Sequence, residues 1–196
     1  MKLNPKFNYP KSIRAYYNGQ RLYDVNNEKL PSVTTILSFT KSKEDKESLE
    51  RWRKKVGTAA AEKITREATS RGSAMHDFLE KFLLGKLNLD LLGDNSLERQ
   101  MADQIIENGL RNRVNEIFGV EVCLFFPHRY AGAADLICEY EGKLSVVDFK
   151  NSNQLRSDQW NTDYYLQLSA YQMAHNKVYG TDINQGVILV CTKDLM

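Results

Sequence analysis

Two carboxylates and one amine lie close together between Gly132 and Lys150, and these groups could carry out metal-dependent hydrolysis. Asp135 and Asp148 each belong to an apolar run, and Lys150 follows Asp148 by two residues. Carboxylate oxygens are the hard ligands that Mg²⁺ and Mn²⁺ prefer. An adjacent ammonium can orient a nucleophilic water or stabilise a developing negative charge. The residue types therefore indicate a hydrolytic metal site.

Two strands joined by a tight turn are needed to bring these groups together. Residues 134–140 and 143–150 have strand composition, and Glu141-Gly142 separates them. A two-residue turn places the two carboxylates directly opposite each other, and Lys150 shares their face because strand side chains alternate. Opposed carboxylates repel unless a cation lies between them. Glu is a poor residue for this turn, and a three-residue turn would break the pairing.

The triplet Asp148-Phe149-Lys150 has a simpler interpretation when it is taken alone. A single Asp-x-Lys is frequent by chance and usually marks a solvated strand end. Here Val146 and Val147 make the strand apolar on both faces, so the aspartate emerges from a buried strand. With Asp135 opposite, the functional interpretation is favoured.

An amphipathic helix is predicted over residues 72–84. Its apolar positions recur with helical spacing, and they are Met75, Phe78, Leu79, Phe82 and Leu83. His76 and Glu80 lie one turn apart at the edge of this apolar face, where they can reach the strand carboxylates. A lone histidine there is more often a hydrogen-bonded core residue. Glu121 begins the next predicted strand and is an accessory candidate, although an exposed strand-end Glu is commoner.

The other elements follow from periodicity and from start and stop signals. We expect loops over 84–95 and 151–161, a helix over 97–118, a strand over 120–127, a helix from Thr162 or Asp163 to Tyr179 that stops at Gly180, and a strand over 186–192. The later helix carries Gln167 and Tyr171 one turn apart. Gln can bond a phosphate and Tyr can stack on a base, but such pairs are also commonplace.

The first 70 residues form a basic segment that we expect to face DNA. Residues 1–70 carry 15 Lys and Arg against 8 Asp and Glu, whereas residues 71–196 carry 12 against 17. A small hairpin or irregular arm is expected over 1–30, then a helix start near Pro31 and a charged helical stretch over 41–69. A basic lobe beside an acidic metal-binding core suits a phosphodiester substrate. The alternative is a merely soluble basic helix.

Three groups in this basic segment are candidates for nucleic-acid contact. Ser32 and Thr34 can hold a phosphate at a helix start, or they can simply cap the helix. Arg51 and Trp52 lie in a basic helix, where the ring can stack on a base or anchor packing.

Composition describes a soluble globular protein of one domain with an extended lobe. The chain has 196 residues, of which 42% are hydrophobic and 27% charged. It has no apolar run of membrane-spanning length and no secretory signal, so we expect a cytoplasmic protein, in the host cytoplasm if viral. The cysteines lie in apolar runs without metal-ligand spacing. We therefore interpret them as reduced core residues and expect no iron–sulfur cluster or structural zinc.

Four motifs in this order resemble the RecB-type exonucleases of the PD-(D/E)XK nuclease superfamily. They are Gly72-x-x-x-His76-x-x-x-Glu80, Gly132-x-x-Asp135, Asp148-x-Lys150 and Gln167-Leu168-x-x-Tyr171. Three further segments are similar to the family of mitochondrial genome maintenance exonucleases and their phage-like relatives: Leu30–Thr34, Leu49–Trp52 and Glu139–Leu144. Each motif is degenerate alone, but their order and spacing together are specific.

The resemblance implies an α/β fold with a restriction-endonuclease-like core. That core has the order α-β-β-β-α-β in a mixed central sheet flanked by helices, here over residues 71–196 and preceded by a mainly helical N-terminal extension. It also implies metal ligation, of Mg²⁺ or Mn²⁺, by His76, Asp135, Asp148 and the Phe149 carbonyl. Catalysis would rest on Lys150 with both aspartates.

The remaining roles also follow from the resemblance. Glu80, Gln167 and Tyr171 would support the site, and Ser32 and Thr34 would face DNA, while Ser152 belongs to the segment expected on the substrate side. The function expected is a divalent-metal-dependent DNA exonuclease that prefers single strands. The alternatives are a structure-specific or single-strand endonuclease of the same fold, and a nucleic-acid-binding module without catalysis.

Overall fold

The computed structural model describes residues 1–86, 95–154 and 161–196. In chain order the elements are β1 (Lys2–Leu3), β2 (Ile13–Tyr17), β3 (Gln20–Val25), β4 (Glu28–Pro31), α1 (Val33–Thr40), α2 (Lys43–Val56), α3 (Thr58–Leu83), α4 (Leu97–Ile105), β5 (Val114–Phe126), β6 (Tyr130–Tyr140), β7 (Lys143–Ser152), α5 (Thr162–Tyr179) and β8 (Gln185–Thr192). A π-helical turn, Ile106–Leu110, continues α4. No helix of the described ranges is both long and apolar enough to span a membrane.

A five-stranded mixed sheet forms the centre of the molecule, with strand order β1-β5-β6-β7-β8. The strands β5, β6 and β7 pair antiparallel, while β8 joins β7 in parallel and β1 joins β5 in parallel. On one face α3 and α4 pack against the sheet, and their buried side chains form one apolar cluster with β7. On the other face α1 and α5 cover it. The expected α-β-β-β-α-β mixed sheet flanked by helices is confirmed.

The N-terminal extension is helical only from Val33 onward, which corrects the expectation that it is mainly helical. Residues 2–31 hold four strands, and three of them form a separate antiparallel sheet in the order β2-β3-β4. The hairpin expected around Asn18-Gly19 is present, and both turn residues have positive φ, 49° and 75°. The small sheet packs against the central one through a cluster that includes Tyr23, Leu30 and Ala131.

Two predicted helix boundaries are wrong, and each has a backbone cause. The break in the long helical region lies at Gly57, with φ of +84°, so α3 runs without interruption through residues 69–72. The helix expected over 97–118 ends early: the chain turns at Asn112, with φ of +64°, and Val114 already belongs to β5. The last two of its apolar residues, Val114 and Ile117, are still buried, but as strand residues.

Both expected loops fall partly outside the described residues. These parts are residues 87–94 of the loop expected over 84–95 and residues 155–160 of the loop expected over 151–161. Within the described part, Asn151 and Ser152 belong to β7 and pair with β8, so the second loop begins later than predicted. The helix expected before Gly180 is confirmed, since α5 ends there on a residue with φ of +64°.

Candidate active site

The β6–β7 hairpin has the register that brings the two aspartates together. Paired residues run from Tyr140 with Lys143 to Leu136 with Val147, and the turn residues Glu141 and Gly142 have φ of 49° and 79°. The two-residue turn is therefore present and the three-residue alternative is not. The backbone ladder between β6 and β7 extends no further, because the next amide donor of β7 donates to the Asp135 carboxylate and not to a backbone carbonyl.

The Asp135 carboxylate is held by the backbone of the neighbouring strand. Its Oδ2 accepts a hydrogen bond of 2.7 Å from the amide of Phe149. Asp135 is 8% exposed and Asp148 only 2%. Burial of two carboxylates on adjacent strands is unfavourable without counter-charge. The structure supplies that counter-charge in two separate groups of side chains.

The first group, the carboxylate–histidine cluster, consists of His76, Glu121 and Asp135. His76 Nδ1 lies 3.5 Å from Asp135 Oδ1 and 3.8 Å from Glu121 Oε1. One ligand atom from each of the three residues lies within 4.8 Å of the others, a spacing that can hold a metal ion. Glu121, an accessory candidate from the sequence, is therefore a central member of this cluster.

The backbone at Glu121 is distorted, and this distortion positions the side chain. Val120 pairs with Leu136 and Val122 with Ala134, so Glu121 stands opposite Asp135. Its φ is +51°, a conformation rare for residues with a side chain, and the ladder slips register just before it. Such strain is found most often at functional sites.

His76 is oriented by a second contact. Its Nε2 lies 3.0 Å from the carbonyl oxygen of Phe149. A carbonyl oxygen only accepts hydrogen bonds, so Nε2 carries a proton and donates it. That leaves Nδ1 facing the carboxylates of Asp135 and Glu121.

The second group, the lysine network, consists of Asp148, Lys150, Gln167 and Tyr171. The Lys150 ammonium forms an ion pair with Asp148 Oδ2 and donates to Gln167 Oε1 at 3.2 Å. The Gln167 amide nitrogen donates to Asp148 Oδ1 at 3.0 Å and to the Tyr171 hydroxyl at 3.3 Å. Gln167 and Tyr171 reach the site from one face of α5, as their spacing predicts.

The two groups differ in their electrostatics. Burial by itself lowers the pKa of His76, but hydrogen bonds and charges from Asp135 and Glu121 outweigh it and raise the pKa to about 10. Burial raises the pKa of Asp148, and the Lys150 charge opposes that shift. Burial also raises the pKa of Tyr171 above its ordinary value. The acidic side chains of both groups therefore favour a positive charge beside them, on His76 in the first group and on Lys150 in the second.

Two glycines allow the helices to approach the sheet. A Cβ on Gly132 would lie 2.7 Å from the Tyr171 ring and hydroxyl, and a Cβ on Gly72 would lie 2.3 Å from the Asn151 amide nitrogen. Gly132 begins the motif that ends in Asp135, and Gly72 begins the motif that contains His76. They are needed for close packing of α5 and α3 on the strands that carry the site.

Two adjoining cavities of about 400 Å³ each open onto these groups. The first, the main cavity, contains the carboxylate–histidine cluster, and the second contains Lys150. They share Thr34, His76 and Gln167. A substrate that spans both would pass directly over His76.

Several other predicted site residues line the main cavity. Glu80, Ser32 and Thr34 are among them. The Ser32 hydroxyl accepts from the amide of Thr35 at 3.0 Å and caps α1, so capping is confirmed for this residue. Thr34 is exposed at the cavity edge, with its hydroxyl 3.1 Å from that of Ser32.

Three predicted contact residues do not join the cavities. Arg51 and Trp52 lie on α2, and neither lines the main cavity or the Lys150 cavity; the Arg51 guanidinium lies 3.8 Å from Glu47 one turn away. Ser152 is buried, and its hydroxyl donates to the carbonyl of Gln154 at 2.6 Å. Their roles in binding stay predictions.

Residues from distant parts of the chain complete the site, and sequence reasoning did not single them out. Arg14 and Arg21 of the small sheet line the main cavity. Tyr164 of α5 lies beneath Lys150, with 5.0 Å between the ammonium and the ring centre. The alternation of Arg and Tyr along the first hairpin was a usable signal for the two arginines.

Comparison of the chain with known proteins finds a matching family. The model of the PD-(D/E)XK nuclease superfamily matches residues 37–194. The chain is 30% identical over 176 residues to mitochondrial genome maintenance exonuclease 1 of Homo sapiens and 33% identical to that of Mus musculus, with 84% of this chain and 50% of each relative covered. The Xenopus tropicalis protein is 30% identical over 179 residues. The chain spans about half the length of these relatives.

Proposed function

The chain belongs to the PD-(D/E)XK nuclease superfamily, and on this premise we propose that it is a divalent-metal-dependent DNA exonuclease that prefers single strands. The observation that carries the proposal is the meeting of the carboxylate–histidine cluster and Lys150 in adjoining cavities. The relatives named as exonucleases support cleavage from DNA ends.

The donor set of the carboxylate–histidine cluster fits a divalent cation such as Mg²⁺ or Mn²⁺. Two carboxylates and one imidazole supply oxygen and nitrogen ligands. Because Nε2 of His76 donates to the Phe149 carbonyl, a divalent cation that displaced the proton from Nδ1 would meet the Nδ1 lone pair, as is usual for histidines that bind metals. Asp148 is the further ligand expected, and its Oδ2 is ion-paired with the Lys150 ammonium. The Phe149 carbonyl retains a second lone pair.

A divalent cation in this cluster would supply Lewis-acid stabilisation of the charge that develops on the phosphodiester. Lys150 lies beside the carboxylate–histidine cluster, and the direction of its ammonium is set by Asp148 and Gln167. That ammonium can donate to the attacking water or to a phosphate oxygen. The Tyr171 hydroxyl and Gln167 amide hold this arrangement without exposing it to bulk water. One water is consumed per P–O bond broken.

The single-strand preference is supported by aromatic side chains beside the cavities. The Tyr164 ring lies next to the Lys150 ammonium, where a base adjoining the cleaved phosphate could stack. Bases in a duplex are already stacked on each other and are less available for such contacts. Glu80 lines the main cavity, one turn from His76, and can orient water there.

Digestion of end-labelled DNA tests the proposal. Linear single-stranded, linear double-stranded and circular single-stranded DNA are incubated with Mg²⁺, Mn²⁺ or EDTA. We expect linear single strands to be degraded fastest, circles to stay intact and EDTA to abolish the reaction. Asp135→Asn, purified in parallel, controls for contaminating nucleases.

Each other outcome contradicts a stated part of the proposal. Opened circles would make the protein an endonuclease. Equal rates on duplex and single strand would remove the strand preference. No cleavage with either metal, together with DNA binding, would make it a binding module.

A further inference from the structure

One face of the small N-terminal sheet carries arginine and tyrosine in alternation. In the β2–β3 ladder Arg14 pairs with Tyr23 and Tyr16 pairs with Arg21, so all four side chains share a face. Arg14 lies 5.7 Å from the Tyr23 ring centre and Arg21 lies 6.0 Å from that of Tyr16. Guanidinium groups held against aromatic rings are ordered cations presented to one side.

A third cavity, of about 390 Å³, lies between this hairpin and α1. Its aromatic walls are Tyr16 and Phe39, which are 69% and 63% exposed. Arg21, the hydroxyl residues Thr34, Thr35 and Ser38, and the turn residues Gly19 and Gln20 line the rest, and no lining residue is acidic. We call this cavity the aromatic slot.

The aromatic slot is continuous with the main cavity. Arg21 and Thr34 line both. The Nε of Arg21 is buried and has no hydrogen-bond partner within the described part of the chain. A buried donor without a partner is costly, and an anion in the cavity would give the Arg21 guanidinium a charge partner.

The chemistry of the slot selects its ligand. Without acidic side chains it does not favour a cation, and its arginine and hydroxyls do not favour a purely apolar group. Two exposed rings beside a cation suit a planar base joined to a phosphate. A base paired in a duplex cannot enter between two rings, whereas an unpaired base can.

We infer that the aromatic slot binds one unpaired base of the DNA strand, stacked against Tyr16 and Phe39, with its phosphate on Arg21. The inference rests on the proposed function and assigns to the small sheet the selection of single strands. The strand then passes Thr34 and reaches the carboxylate–histidine cluster. The slot is built largely by residues 16–35, ahead of the segment that the superfamily model matches.

Alanine variants with a matched control test the slot. Tyr16→Ala and Phe39→Ala remove its walls, while Tyr17→Ala removes the next ring on the same strand, which is 66% exposed and points to the opposite face of the sheet. Binding of a fluorescein-labelled single strand is followed by anisotropy in EDTA, so that no cleavage is needed. We expect Tyr16→Ala and Phe39→Ala to weaken binding about 5- to 100-fold, and Tyr17→Ala to change it less than about twofold.

A strand without bases separates stacking from charge. A fully abasic oligonucleotide should bind the wild-type protein more weakly than the normal strand. In Tyr16→Ala the difference in affinity between the two strands should be much smaller. Tyr16→Phe, which keeps the ring, should bind like wild type. In cleavage assays Tyr16→Ala should raise KM for single strands and leave kcat nearly unchanged.

The outcomes distinguish the slot from the nuclease itself. If the wild type cleaves DNA but Tyr16→Ala and Tyr17→Ala bind and cleave alike, the slot is refuted and the proposed function stands. If the wild type binds DNA without cleaving it and only the slot variants lose binding, the slot stands and the proposed function fails. Equal loss for normal and abasic strands would assign the effect to charge and overturn stacking.

Discussion

His76 and His175 are the same side chain in two contrasting surroundings. His76 is partly exposed, with its Nδ1 near two carboxylates and its Nε2 on a backbone carbonyl. His175 is 0% exposed, and its ring nitrogens contact the hydroxyls of Tyr9 at 3.1 Å and Thr181 at 2.8 Å. Carboxylates raise the pKa of His76 to about 10, whereas burial lowers the pKa of His175 to about 4.

The helix α5 connects these two surroundings. Gln167, Tyr171 and His175 follow each other at four-residue intervals and are all buried. Gln167 bonds Asp148 in the site, but His175 packs edge-on against Phe7, with 4.7 Å between the ring centres. One helix face therefore serves the site at one end and the docking of the N-terminal arm at the other. Residue type and spacing do not tell these uses apart, because partners from other segments decide them.

Removal of the amine in the site should give the largest effect. Lys150→Ala deletes the ammonium that is ion-paired with Asp148, and we expect single-strand cleavage to slow by about 10²- to 10⁴-fold while DNA binding is largely retained. Single-turnover cleavage and anisotropy measure the two quantities. Lys150→Gln, which retains a hydrogen-bonding amide, controls for misfolding. A wild-type rate in both variants would refute the catalytic role.

The His175 pocket should affect stability and its dependence on pH. The pKa of His175 is lowered by burial from 6.5 to about 4, so the unfolded chain takes up a proton first as pH falls through this window. The contribution of His175 to the free energy of unfolding is therefore complete above pH 6.5. It is lost on acidification, and the loss is about 2 kcal/mol at pH 5. Burial raises the pKa values of Tyr9 and Tyr179, so neither tyrosine titrates in this window.

Urea unfolding at pH 7.5 and pH 5, in EDTA, measures that loss. In His175→Gln the titrating imidazole is replaced by an amide that does not titrate. The free energy of unfolding of this variant should therefore fall less on acidification than that of the wild type. Parallel losses in the two proteins would show that other groups cause the dependence.

The His76 surroundings should affect metal binding, with a smaller free-energy change. His76→Ala removes the nitrogen donor from the carboxylate–histidine cluster, and we expect Mn²⁺ affinity to fall at least about tenfold in calorimetry. His128→Ala is the matched control, because its side chain is 84% exposed and pairs with Glu28. If His76→Ala and His128→Ala bound Mn²⁺ equally well, His76 would not be a ligand.

Local patterns were sufficient for the hairpin that carries the two aspartates. Side-chain alternation and a two-residue turn set the register, and the observed pairing of Leu136 with Val147 agrees with it. The amphipathic periodicity likewise located the buried face of α3, although this helix begins directly after Gly57 and was expected to begin at Gly72. Local signals succeed here because both features depend on neighbours only a few residues away.

Other parts of the site could not be predicted, because they depend on contacts between distant segments. Glu121 reaches Asp135 only through a register slip and a positive φ in β5, and no periodicity anticipates a distortion of that kind. Arg21 reaches the main cavity only because the small sheet packs beside the start of β6.

The sequence by itself determined which chemical groups are available, namely two aspartates and a lysine on one hairpin and a histidine on a helix. It also determined the nuclease family to which the chain belongs. Only the tertiary structure decided how those groups are divided, with His76 and Glu121 beside Asp135, and Lys150 and Gln167 around Asp148. The physical reason is the cost of burying charge. Each carboxylate must find its counter-charge in space: Lys150 lies two residues from Asp148 on the same strand, whereas His76 reaches Asp135 from a helix far away in the chain.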